Sequence, residues 1–310
     1  MSDLTAAGPR KPPLASALSV VAAITSQAAV LGGIMLYFGT VYSRAWYGYF
    51  GIDIGMLNLS TADFIQKAFS KTFWPVVFRL LILLALISAR RIPFVIAYKS
   101  RKPRLILRLW YVFTLTAGSI LLATVAAKPW IPAISDLSNK YFPDLLVASS
   151  LLLGYAVTLR TAYPALLRPP SAPGQPRFGV REPILQNTTM VMFALLTLGA
   201  AGTTWSIGDY ARDSGIEEAK TLTQNGFPDQ PSVVVFSVER LAIFGKGSQV
   251  DPIPIPGEKF RYMYSGLRLL ARTTDSYFVI PQEWKPRLDR VFVIPRSDDV
   301  RIDLDTTRND

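Results

Sequence analysis

Hydrophobic and polar positions divide this chain of 310 residues into two regimes. Up to Gly208 the apolar residues come in long runs with few charges. Beyond Pro228 they alternate with polar residues at a period of two. The first run carries no charge between Lys11 and Arg44 and includes "LASALSVVAAITSQAAVLGGIMLYF". The second, "TFWPVVFRLLILLALISA", is interrupted by Arg79, and the third, "LWYVFTLTAGSILLATVAA", lies between Arg108 and Lys128. The fourth is "LLVASSLLLGYAVTLRTAYPALL" and the fifth "TTMVMFALLTLGAAGTTWSIG". At helical rise, about 20 apolar residues cross the hydrocarbon of a bilayer. The pattern therefore predicts five transmembrane helices, at about 14–42, 72–89, 109–127, 145–167 and 188–208, behind a disordered tail over 1–13. The first run is longer than the apolar region of about 7–15 residues in a cleavable signal peptide, so it is read as a retained span.

After Asp209, "YARDSGIEEAKTL" continues the fifth helix a few turns beyond the membrane. Strand patterns come next: "SVVVFSVE", "KFRYMY", "LRLLAR", "SYFVIP", "RVFVIP" and "VRIDL", separated by turn-rich clusters such as "TTDS" and "RSDD". Short alternating runs broken in this way predict a small all-β domain. The expected fold is a membrane α-helical bundle of five spans followed by an extracytoplasmic helix extension and β domain over 209–310.

Charge adds orientation. Residues 1–208 hold 19 Lys+Arg and 6 Asp+Glu, whereas 209–310 hold 14 and 16, so the net charge of +11 comes from the apolar part. Its connectors are asymmetric. The tail, "RRIPFVIAYKSRKPR" between spans two and three, and "RPPSAPGQPRFGVREP" between four and five together carry 11 basic residues; the alternate connectors carry 5. Positive charge stays on the cytoplasmic side. The N-terminus is expected inside and, after an odd number of spans, the C-terminal domain outside, at a bacterial plasma membrane.

One outer connector stands apart. "YFGIDIGMLNLSTADF" (residues 49–64) follows the aromatic "RAWYGYFG", and Trp46, Tyr47, Tyr49 and Phe50 are placed where rings anchor among lipid headgroups. Ser60 and Asp63 have the spacing of a capping box, with Asp in place of Glu. Phe64, Ile65, Ala68 and Phe69 share one face of the short helix so started. The stretch over 43–71 is expected to lie on the outer leaflet as an interfacial elbow.

This elbow, together with "VVVFSVERLAIFGKG" and "FRYMYSGLRLLARTTDSYFVIPQEW", resembles a signature of an uncharacterised actinobacterial family of multi-pass membrane proteins. The resemblance covers the elbow and most of the C-terminal domain. It implies the same architecture and brings no activity, cofactor or site residue with it.

Candidate chemistry is sparse. The chain has neither cysteine nor histidine, which excludes disulfides, thiolate nucleophiles, His-ligated metals and imidazole bases. "FGKGS" lacks the spacing of a phosphate-binding loop. Gly208-Asp209 matches half of an intramembrane aspartyl dyad, but no second carboxylate falls within the expected spans. That same lack of intramembrane acid argues against ion-coupled transport. Arg79 is the one ionisable residue well inside a span, read either as an anion-attracting or helix-pairing group or as an arginine snorkelling to the outer headgroups. Gln27, Ala28, Gly32 and Gly33 are candidate helix-packing residues: Ala28 lies four before Gly32 and Ala29 four before Gly33, the small-residue spacing that lets backbones approach closely. Tyr262, Tyr264, Arg268, Arg272, Tyr277 and Trp284 are the candidate interaction surface, the tyrosines with core packing as the alternative. The expectation is a non-enzymatic membrane protein without cofactors or nucleic-acid partners. It would display its β domain for interaction, scaffolding or sensing, with the lipid bilayer and a protein partner or its own copies as contacts. The alternative is a subunit of an oligomeric channel or transporter with the β domain as outer vestibule.

Overall fold

A computed structural model describes residues 13–127, 132–162 and 188–305. The expected tail over 1–13 lies almost wholly outside the described residues. Among the described residues six α-helices precede an antiparallel sheet: α1 (Pro13–Tyr49), α2 (Thr61–Ala89), α3 (Ile92–Lys99), α4 (Pro103–Ala127), α5 (Pro132–Ala162) and α6 (Thr188–Gln224). Three are long and apolar enough to cross a membrane: α4, the part of α5 from Tyr141 to Ala162, and α6. These correspond to the third, fourth and fifth expected spans. The backbones of α1 and α2 are helical over 37 and 29 residues, but many side chains of their apolar stretches, Gln27 and Arg79 included, lie outside the described residues.

The chain divides into two compact units. One runs from Phe73 to Asp209, and the elements among its described residues are all helices. In it α4 packs along α5, with Leu153 closed onto Gly118. The α5–α6 contact is made by the Phe142 and Trp205 rings (5.3 Å) and by the Ser206 hydroxyl, which donates to Asp144 Oδ1 at 2.9 Å. Asp144 corrects the expectation of acid-free spans. Helix α5 begins at Pro132 and carries Pro143 within it, so Asp144 lies on the helix, inside the candidate span. An internal proline removes one backbone donor without ending a helix that is packed on its neighbours. Threonine hydroxyls are bonded back onto their own helices, as Thr116 to the Val112 carbonyl and Thr203 to that of Gly199, each at 2.8 Å. Such bonds hide polar atoms that an apolar surrounding cannot solvate.

The other unit joins residues 1–72 to 210–310. Within it the C-terminal half of α1 and that of α6 run parallel. The Phe38–Tyr210 ring pair (6.1 Å), the Tyr42 carbonyl against Gly215 and the Phe50–Phe227 ring pair (6.2 Å) advance together along both. Helix α2 crosses α1 where Gly39 meets the Phe64 carbonyl. A Cβ on Gly39 would overlap that oxygen, so the two backbones touch only because residue 39 lacks one. The close backbone approaches of α1 are this contact and the one at Gly215, not Gly32 or Gly33. Among the described residues, nothing lies within 4 Å of a Cβ at either of those last two positions.

The sheet contains β1 (Ser232–Ser237), β2 (Gln249–Pro252), β3 (Tyr262–Arg272), β4 (Ser276–Pro281), β5 (Phe292–Pro295) and β6 (Val300–Asp305). Its order is β5-β4-β3-β1-β6, with β2 also on β3. Two expected strands, "KFRYMY" and "LRLLAR", are one: β3 runs through both, bends at Gly266 (φ +72), and gives its first half to β2 and its second to β4. The phase of alternation breaks at that glycine, which looks like a strand end in the sequence. Strand β2 escaped prediction because "QVDP" is polar and exposed throughout. Val233, Val235, Ile243, Leu267, Val279 and Ile294 form the core with Tyr264, which is 1% exposed.

Tyr264 is therefore a core residue, not part of an exposed interaction surface. Its hydroxyl accepts from the Leu241 amide (2.6 Å) and donates to the Leu241 carbonyl (3.0 Å), tying the loop after β1 to the sheet. Tyr264→Phe loses both bonds and is expected to destabilise the β domain by about 1–3 kcal/mol. Amide exchange at Leu241 checks this: unchanged protection there would show that the hydroxyl does not hold the loop.

Candidate functional site

The unusual connector forms a sequence of caps. Helix α1 stops in a Schellman arrangement, with Gly51 (φ +79) donating to the Gly48 carbonyl at 3.0 Å and Ile52 to that of Tyr47 at 3.1 Å. Asp53 then caps a short 3-10 turn (Ile54–Leu57), its Oδ1 accepting from the Gly55 amide at 2.7 Å. Asn58, left-handed at φ 47, turns the chain toward α2. The expected capping box is present. Asp63 Oδ2 accepts from the Ser60 amide (2.8 Å) and hydroxyl (2.7 Å), and Ser60 Oγ accepts from the Asp63 amide (3.3 Å).

The elbow is shorter and drier than expected. Residues 43–49 belong to α1 and 61–71 to α2, so the capped start is that of α2 itself. Trp46, Tyr47 and Phe50 are buried in protein, as are Ile52 and Leu57. They do not lie open to headgroups. Ala68 is fully buried on the predicted inner face of α2, Phe64 and Ile65 are half-buried, and Phe69 points outward at 59% exposure. Lys67 Nζ donates to the Tyr47 hydroxyl at 3.0 Å and lies 4.4 Å from that ring's centroid.

What buries these rings is an aromatic junction centred on Phe50. Its ring lies 5.0 Å from Trp46, 5.3 Å from Tyr49, 5.1 Å from Trp284 and 6.2 Å from Phe227. Phe227 comes just past the end of α6, where a second Schellman arrangement pairs Gly226 with the Thr223 carbonyl and Phe227 with that of Leu222. Trp284 comes from the loop after β4. One node thus joins the end of α1, the end of α6 and the sheet domain. Asn225-Gly226 is a legible helix stop, but nothing in the sequence pairs Phe227 with Phe50.

The connector's capping box carries a shifted carboxyl. The Ser60 hydroxyl, then the Ser60 amide and the nearby Lys67 charge, hold the Asp63 carboxyl below its ordinary value of 3.8. A lowered folded-state value means that the cap contributes fully above pH 3.8 and loses its contribution as pH falls through the lowered value. Amide protection in the first turn of α2 is expected to drop in that acid window. In Asp63→Asn the acid step should be gone, and a step of the same size there would sink the assignment.

The other expected site residues scatter. Trp284 is 4% exposed and belongs to the junction. Tyr262 and Tyr277 are half-buried and pack on the sheet core. Arg268 is half-buried and donates to the Gln230 carbonyl at 3.1 Å. Arg272 is exposed at the end of β3. The six do not form one exposed surface: Tyr264 and Trp284 are buried, and the register shift beside Gly266 breaks the alternation that would otherwise put Tyr262, Tyr264, Arg268 and Arg272 on one face of β3. Ala28 and Gly33 are exposed, and Gly32 is half-buried. Among the described residues no three carboxylates converge as metal ligands would. No family model, curated protein or solved structure matches this chain.

Proposed function

We propose that this chain is a non-enzymatic, multi-pass protein of a bacterial plasma membrane that presents its β domain for contact with a partner. In this reading α1 and α2 join α4, α5 and α6 as spans, making five. The N-terminus is cytoplasmic and the β domain extracytoplasmic, as the bias of basic residues between alternate connectors supports. The likeness to an actinobacterial membrane family belongs to the same reading. It acts as a scaffold, receptor or assembly partner, with no cofactor and no nucleic acid.

The carrying observation is the Phe50 junction. It mounts the sheet on two parallel helix ends through buried rings, a firm attachment for a domain that works by being presented. From Tyr210 to Gln224 the polar end of α6 adds roughly 22 Å of helix at 1.5 Å per residue, enough to hold a domain clear of headgroups. The native mass of the full-length protein in mild detergent tests the reading. A monomer or simple dimer is the expected result. A closed ring of several copies, with ion flux in vesicles altered by Arg79→Leu, would replace it with the channel alternative.

A further inference from the structure

The connector between α2 and α4 holds more than an orientation signal. It folds as α3, an eight-residue helix of about 12 Å, too short to cross a bilayer. Its inner face is fixed: Pro93 and Ala97, four apart, are buried, and α3 packs on α4. The Tyr155 hydroxyl donates to the Arg90 carbonyl at 2.8 Å, tying the entry of the connector to α5. The opposite face is apolar and open. Ile92 is 51% exposed, Val95 66%, Ile96 51% and Tyr98 94%. Around it lie Arg90 and Arg91 before the helix, Lys99 in its last turn, and Arg101, Lys102 and Arg104 after it, all exposed, with no acid from residue 90 to residue 108. None of the six is in an ion pair with a carboxylate among the described residues.

Basic residues that only set topology need no ordered apolar face beside them. Here the two occur together, next to α4, whose length and composition suit a membrane span. We propose that α3 is an interfacial helix that binds anionic phospholipid: its apolar face enters the acyl boundary and its basic rim holds headgroup phosphates. The charge selects the ligand, since a zwitterionic lipid meets the same apolar face but leaves the six cations without net countercharge. The inference stands apart from any role of the β domain.

The test is native mass spectrometry of the full-length protein from mild detergent with equal amounts of phosphatidylglycerol and phosphatidylcholine. Phosphatidylglycerol is expected to be retained preferentially, and less so as salt rises. In Arg101→Gln/Lys102→Gln/Arg104→Gln that retention should weaken at least about tenfold, since each basic residue near a headgroup layer contributes measurably. Arg90, Arg91 and Lys99 stay to keep the connector's orientation, checked with a topology reporter. Equal retention of both lipids by the unaltered protein overturns the proposal even if the variant fails to accumulate. So does a variant that holds phosphatidylglycerol as the parent does. Displacement by inorganic phosphate would show a simple anion site and overturn it as well.

Discussion

Trp284→Ala is expected to cost about 3–5 kcal/mol, the range for deleting a buried large aromatic. The indole is 4% exposed, and its partners Phe50 (5.1 Å) and Tyr49 (6.3 Å) belong to the end of α1. Removing it leaves a cavity between a helix end and a sheet loop, and Phe50 cannot move far into it, because its ring is also packed on Trp46 and Phe227. The loop after Trp284 should then open, and tryptic cleavage after Arg287 of the full-length protein should speed up many-fold. Trp284→Phe separates packing from hydrogen bonding. The buried indole N–H has no hydrogen-bond partner among the described residues, so phenylalanine keeps a ring in place and removes an unsatisfied donor. Its effect should be small. If Trp284→Ala unfolds and resists trypsin like the parent, the junction is not what holds the sheet domain.

Gly39→Ala is the second large effect. The added methyl would sit on the Phe64 carbonyl, and a backbone oxygen inside a helix cannot turn aside as a side chain can. Either α1 and α2 part or α2 loses its first turn, at a cost of about 3 kcal/mol as for severe overpacking. The loss should appear as poor recovery of folded protein and a lower unfolding temperature in detergent. Gly33→Ala is the matched control. Nothing among the described residues lies within 4 Å of the new Cβ, so the same substitution six residues earlier should be neutral or slightly stabilising through helix propensity. Equal behaviour of the two variants would refute the crossing at residue 39.

These expectations mark where local pattern stops being informative. Ala28, Gly32 and Gly33 have the spacing of a packing motif, yet the backbone contact falls at Gly39, where no motif is visible. A lone glycine on an apolar helix acquires meaning only from the chain that crosses it. The rings of "RAWYGYFG" suit headgroups and protein interiors equally, since an aromatic is satisfied by either. Burial against Phe227 and Trp284, more than 170 residues away in sequence, decided between them.

Composition and short-range hydrogen bonding were enough to specify the long helices and most of the strands, though not α3 or the polar β2. Runs of apolar residues with few charges specify long helices, because an unsatisfied backbone is too costly in lipid. A period of two specifies strands, and Ser60 with Asp63 specifies the start of α2. The partners of those elements were settled only by packing. It joined two apparent strands into β3 through the bend at Gly266, and it brought Asp144 to Ser206. It turned three headgroup anchors and two surface residues into buried groups, and it left one face of α3 bare. Each of those outcomes depends on contacts between segments far apart in the chain, and their energies are set by which surfaces meet, which no local window records.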